Sequence, residues 1–191
     1  MNPLELTPEQ IAPAFPGAPL ANIQTHWPVV AAALEENRLT SGRIVAYTLA
    51  TIAAETAGFV PLTEKPSRYN TQDGYLPFSR YEMRRDLGNI HAGDGPRYCG
   101  RGFVQLTGKA NYARYGERIG VDLVVTPSAA NEPHTAAKLL ALFIADRESR
   151  IVAALSDGDM PRARQAVNGG THGLTRFKNA YFAILRALET H

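Results

Sequence analysis

The stretch Gly42 to Thr56, GRIVAYTLATIAAET, constrains this chain more than any other. Thr40 or Ser41 can cap a helix there, and Gly58 can stop it. At about 100° per residue, Ile44, Val45, Tyr47, Leu49, Ala50, Ile52 and Ala53 spread over every face. A helix apolar all round cannot lie on a surface, so the rest of the fold must wrap it. Its one acid beyond the first turn is Glu55, near the C-terminal end, on the side of Ile44, Thr48, Thr51 and Ile52. A carboxyl there is poorly solvated and close to the negative end of the helix dipole. Both effects are expected to raise its pKa and keep it protonated, the state a general acid needs.

The wrapping elements also read as helices. Thr7-Pro8-Glu9-Gln10 is an N-cap followed by proline, and Pro13 and Pro16-Gly17 end that short helix. Pro19 to Asn37 carries Leu20, Ile23, Trp27, Val30, Ala31 and Leu34 at helical spacing, and Pro28 should kink or split it after His26. Trp27 lies on that stripe and is expected in the core. A short helix is expected over 79–86, with Ser79 as cap and Glu82 in its first turn. Later helices are expected over 109–119, 127–145, 151–155, from 159–161 to 168–170, and 174–188. The segment from Val60 to Gly95 is loop-rich and aromatic, with Tyr69, Tyr75, Phe78 and Tyr81, and a loop of that length in a compact domain usually has a function. The expected fold is mainly α: a single domain over residues 1–191 with at most a small β-hairpin near Arg97 to Leu106.

Several function classes fall away. A net charge of +2 is too mild for a dedicated nucleic-acid binder, though it suits an anionic polymer such as a bacterial cell wall. One cysteine, Cys99, excludes an internal disulfide and reads as a partly buried thiol. The five histidines are scattered, without a zinc-ligand spacing, so no metal or other cofactor is expected. No apolar run is long enough to insert in a membrane. The N-terminus lacks a basic region followed by an apolar one, so the chain is expected to be cytoplasmic as synthesised, with any work outside that compartment needing another export route; it is expected to be a monomer.

Three groupings carry chemistry. Glu55 and Glu64 could be the unlike carboxyl pair of a glycosidase, or a surface pair; Lys65 and Arg68 beside Glu64 would keep it ionised. A loop of this length allows the wide inverting separation, roughly 6.5–9.5 Å. Arg97 to Tyr112, RYCGRGFVQLTGKANY, opens as a glycine-rich turn and runs into a helix. It lacks a phosphate-loop pattern and a surrounding βαβ unit. Arg101 reads as a structural side chain for buried carbonyls or a carboxylate, helping to hold the electrostatics of the acid pair. Gln105, Thr107 and Asn111 are placed to grip a ligand. Val167-Asn168-Gly169-Gly170 is a helix C-cap, or a site where Asn168 orients a water or an N-acetyl group.

These blocks together resemble glycoside hydrolase family 19, the chitinase-like group within the lysozyme superfamily, and within it the phage endolysins and bacterial lysozyme-like members. Glu55-Thr56-Ala57-Gly58-Phe59 is similar to the acid motif Glu-Thr/Ser-Gly-Gly-Phe. Tyr98-Cys99-Gly100-Arg101-Gly102-Phe103-Val104-Gln105-Leu106-Thr107 resembles Tyr-x-Gly-Arg-Gly-x-x-Gln-Leu-Thr, followed by Asn111-Tyr112, and Val167-Asn168-Gly169-Gly170 looks like Ile/Val-Asn-Gly-Gly. The resemblance implies a lysozyme-like helical domain with a saccharide cleft. It implies Glu55 as general acid and Glu64 as general base, with Tyr98, Gln105, Thr107, Asn111 and Asn168 lining the cleft, binding substrate or placing the water. Ala54 stands where many members have His, and His172 where plant-type members have a further acid. Glu82 and Asp86 are rival bases. The expected function is hydrolysis of the β-1,4 bond between N-acetylmuramic acid and N-acetylglucosamine in peptidoglycan, with inversion. The alternatives are a chitinase and an inactive sugar-binding homologue.

Overall fold

A computed structural model describes residues 2–190, with Asn168 described in its backbone only. The helices among the described residues are α1 (Pro8–Ile11), α2 (Leu20–Glu36), α3 (Gly42–Thr56), α4 (Asp94–Arg97), α5 (Lys109–Ile119), α6 (Pro133–Ala145), α7 (Glu148–Ser156), α8 (Met160–Asn168) and α9 (Leu174–Glu189). Strands β1 (Leu62–Thr63) and β2 (Arg101–Gly102) pair antiparallel, Leu62 opposite Gly102 and Thr63 opposite Arg101. The expected mainly helical fold with a minimal antiparallel element is what the chain adopts. The chain divides into two compact units, Met1–Val60 with Leu140–His191, and Pro61–Leu139.

In the first unit α3 is the central helix. Eleven of its residues, from Ile44 to Thr56, are buried. The Ser41 hydroxyl accepts from Ile44 N at 3.3 Å and caps its start. The buried Thr48, Thr51 and Thr56 hydroxyls return to carbonyls one turn back, so each is satisfied without leaving the helix. α9 packs along α3 through Phe177, Ala180, Tyr181 and Ile184. The rings of Tyr47 and Phe177 meet edge to face at 5.3 Å. α1 starts in a capping box between Thr7 and Gln10. α2 runs as one helix through Pro28, so of the expected kink or split the split does not occur. Its proline forfeits one helical hydrogen bond, while Trp27 beside it is buried and donates from Nε1 to Leu6 O at 2.8 Å.

The second unit has less regular structure. The expected helix over 79–86 is replaced by two 3-10 turns, Ser79–Tyr81 and Arg85–Leu87. Glu82 turns extended and Met83 takes a positive φ of 54° between them, because the Glu82 carboxylate accepts from Gly93 N and from Gly95 N at 2.6 Å. The expected helix over 127–145 also divides. A 3-10 turn covers Pro127–Asn131, Glu132 is extended, and α6 begins at Pro133. A residue before proline is pushed out of the helical region, which places the break.

Candidate active site

Glu55 lies in the last turn of α3, and its side chain is 14% exposed. The helix ends at Ala57, whose φ of 51° is one that a residue with a Cβ rarely adopts. Gly58, expected as the stop, follows the turning residue. Phe59 is also at positive φ, 55°, fully buried, with its ring 4.7 Å from that of Phe15. Asn22 Nδ2 donates to Gly58 O at 2.9 Å. The strained turn after Glu55 is thus held by α2 and by an aromatic contact.

Glu55 is poorly solvated, as the sequence led us to expect, but it has a charged partner that the helix pattern did not announce. Arg164 Nη2 donates to Glu55 Oε1 at 2.6 Å. The Arg164 side chain is 1% exposed. Its Nε donates to His172 O at 3.1 Å, and its guanidinium lies 5.9 Å from the Phe177 ring centre. Tyr47 OH donates to Ala163 O at 2.8 Å and ties α8 to α3. Burial drives the Tyr47 phenol well above its ordinary range, so it stays a donor. Gly173, at φ +72°, faces Ala54: a Cβ there would lie 3.5 Å from the Ala54 Cβ. The turn after α8 therefore runs beside the acid. The Asn168 side chain, expected to bind substrate, lies outside the described residues.

In the second unit Glu64 follows β1 directly. Gly100 N donates to Oε1 at 2.5 Å. Asn70 Nδ2 donates to Oε2 at 3.0 Å and Tyr81 OH to the same oxygen at 3.2 Å. Burial, and then the Glu64 charge, push the Tyr81 phenol far above its ordinary range, which keeps its proton available. The expected cationic neighbours are not its partners. Arg68 donates to Tyr69 OH at 2.9 Å and lies over that ring, and Lys65 is exposed. Three uncharged donors set the orientation of Glu64 instead. The rival acids are occupied: Glu82 clamps the backbone at Gly93 and Gly95, and Asp86 pairs with Arg84 on the surface.

The glycine-rich turn borders Glu64 through Gly100. Gln105, at φ 53°, donates from Nε2 to Leu62 O and Gly102 O, both at 3.0 Å. Thr107 Oγ1 donates to Gln105 O at 2.9 Å, and Asn111 Nδ2 to Thr107 O at 2.8 Å. All three are half-buried, and each spends a donor on the turn. Arg101 Nη1 donates to Arg97 O, Cys99 O and Tyr112 OH. These are carbonyl and hydroxyl contacts, with no carboxylate among them. Tyr98 cannot line a cleft as it stands, because it is 2% exposed and its hydroxyl reaches Val124 O at 3.3 Å. Cys99 is buried and its thiol pushed up by that burial, which leaves no nucleophile. Among the described residues no group of His, Cys, Asp and Glu could hold a metal ion.

Sequence reasoning missed Arg164, Asn70 and Tyr81. Arg164 carried a signal. Met160, Ala163, Arg164 and Val167 fall at helical spacing, so an arginine occupies the inward stripe of α8. Asn70 carried none, and Tyr81 stood out only as one of the loop aromatics, because their bonds to Glu64 depend on the path of that loop.

No family model matches the chain. A glycosyl hydrolase family 19 domain-containing protein of Haemophilus influenzae is 37% identical over 71 residues, 37% of this chain and 34% of that protein. The match thus spans about a third of the curated relative's length. Among solved structures, chitinase C from Streptomyces griseus superposes with a TM-score of 0.62 at 17% identity, over 97% of this chain and 77% of that one. A bacterial family 19 chitinase gives 0.60 at 19% identity, over 96% and 95%. The chain therefore has the fold of the family 19 chitinases, and over 71 residues it is similar in sequence to a glycosyl hydrolase family 19 domain-containing protein.

Proposed function

We propose that the chain is a glycoside hydrolase acting on β-1,4-linked N-acetylated glycans, with Glu55 as general acid and Glu64 as general base. The observation that carries the reading is that both carboxyls of the expected pair are held in place by fixed partners. Glu55 is nearly buried against the Arg164 guanidinium, and Glu64 is held by three uncharged donors. Glycoside hydrolysis needs two placed carboxyl groups, one to give a proton and one to take one. Glu55 gives its proton to the glycosidic oxygen as the bond from that oxygen to C1 breaks. Glu64 takes a proton from the water whose oxygen bonds C1. The products are two shortened glycans, and the stereochemistry at C1 inverts. Gln105, Thr107, Asn111 and Asn168 supply the amide and hydroxyl groups that suit N-acetyl sugars.

The substrate we favour is peptidoglycan, cut between N-acetylmuramic acid and N-acetylglucosamine, in keeping with the resemblance to endolysins and the mild positive charge. The second reading, a chitinase, is supported by the names of the structural neighbours. Incubation with purified peptidoglycan and with chitin oligomers, read by mass spectrometry, separates the two. Glu55→Gln is expected to fold and to lower turnover by at least about a thousandfold, within the two to four decades assigned to general acid catalysis. A variant that retains wild-type activity would remove Glu55 from the chemistry.

A further inference from the structure

We infer that Arg164 is the positioning residue for Glu55, and that it links the acid to the turn following α8. The inference rests on the reading of Glu55 as the general acid. Arg164 is a fully buried cation beside the Phe177 ring, the Glu55 carboxyl and the His172 carbonyl. Such a group costs folding energy unless it is paired, and a well-packed apolar residue is often the more stable choice. Arg164 is not fully paired either: its Nη1 is buried without a hydrogen-bond partner among the described residues. A site kept for stability alone would not hold a guanidinium on these terms.

The geometry gives the guanidinium a mechanical task. Nη2 engages Oε1 of Glu55 at 2.6 Å, while Nε engages the carbonyl of His172 at 3.1 Å. One rigid plane therefore bridges the end of α3 and the turn between α8 and α9. The guanidinium engages Oε1, so Oε2 is the oxygen turned to the substrate in the proposed transfer. The Phe177 ring lies beside the guanidinium, and the Tyr47 hydroxyl fixes the α8 backbone one residue before Arg164. Arg164 touches no reacting atom in this scheme. It sets where Glu55 Oε2 lies when substrate arrives, and a misplacement of about 1 Å can cost a hundredfold in rate.

The test uses the full chain carrying Arg164→Met or Arg164→Lys. Arg164→Met keeps length and apolar packing but removes the fork. It is expected to lower kcat about a hundredfold with KM within about twofold of wild type. Arg164→Lys keeps a charge and a donor, and is expected to regain part of that loss. A loss confined to KM, or a folded Arg164→Met within threefold of wild-type kcat, would overturn the inference. Crystal structures supply a readout independent of turnover. The Glu55 carboxyl is expected to shift by more than about 1 Å in Arg164→Met and to return toward its place in Arg164→Lys. An unmoved Glu55 overturns the positioning role whatever the kinetics. If Arg164→Met does not fold, the lysine variant decides: wild-type kcat with Glu55 in place rejects the role, and lowered kcat with Glu55 shifted supports it. Failure of the parent reading looks different, since active Glu55→Gln, or a wild type that cleaves neither glycan, leaves the crystallographic comparison to decide on Arg164.

Discussion

Glycine at position 100 is required by what lies against it. A Cβ there would sit 2.9 Å from Gln105 Oε1 and 3.1 Å from Glu64 Oε1. The first contact would force the Gln105 side chain to shift and the second would make the Glu64 carboxylate give by a few tenths of an ångström, and the Gly100 N–H is itself a donor to Glu64. Gly102 is required differently, by a φ of +79° and by Ala130 O, 2.8 Å from its would-be Cβ. Gly100→Ala should therefore push the Glu64 carboxylate off its three donors while the helices stay formed. We expect unchanged far-UV circular dichroism and a fall in kcat of about tenfold or more on the cleaved glycan. Full turnover by the alanine variant would show that the placement of Glu64 does not matter to the chemistry. The glycines were visible in the sequence, but not the side chain that needed the space. At this scale, side chains whose partners are near in sequence, or on a regular stripe, could be read in advance. Glu64 could be singled out, but its donors could not. Asn70, Tyr81 and Gly100 meet it only because a long loop returns to β2.

Elements show the same division. The apolar period placed α3 over Gly42–Thr56 with the bounds now seen. Cap and stop residues placed α5 and α8 as well. The errors were at breaks. Pro133 ends the preceding 3-10 turn by acting on Glu132, and the clamp from Glu82 to Gly93 and Gly95 unwinds the segment around it. The start of α5 shows a tertiary cap that no local pattern announces. Gly108 precedes the helix and has no side chain to cap it. Asn89, buried and twenty residues upstream, accepts from Lys109 N through Oδ1 at 2.9 Å and donates through Nδ2 to Tyr81 O at 2.8 Å. It joins the start of α5 to the tyrosine that holds Glu64. Asn89→Ala removes a cap and leaves the Tyr81 carbonyl without this donor. The expected cost is about 1–3 kcal/mol, read as a lower urea midpoint with an unchanged slope. A midpoint equal to wild type would mean that another group satisfies the end of α5.

Across the molecule, the mainly helical class was legible because it depends on patterning alone, whereas the division into two compact units has no composition shift to mark it. Among the shifted groups, His26 in the first unit and Asp94 in the second tie stability to pH on the acid side. In the first, burial lowers the pKa of His26 from its ordinary 6.5. Folded protein then binds fewer protons than unfolded chain as pH falls below about 6.5, so stability drops in that window and levels off below the folded pKa. In the second, burial works to raise the pKa of Asp94. The N–H groups of His91 and Ile90, with the Lys109 ammonium, outweigh burial and hold it below its ordinary 3.8. Its contribution is present above that value and is lost as pH falls through the folded pKa. The two losses are separable in a series of denaturation curves. His26→Gln should flatten the upper window, from about 6.5 downward, and leave the lower one intact. Asp94→Asn should lower stability at pH 7 by about 1–3 kcal/mol, because two backbone N–H groups lose a charged acceptor. The same variant should lose less than wild type below about pH 3.8. A His26→Gln profile parallel to wild type between pH 7 and 5 would place that titration elsewhere.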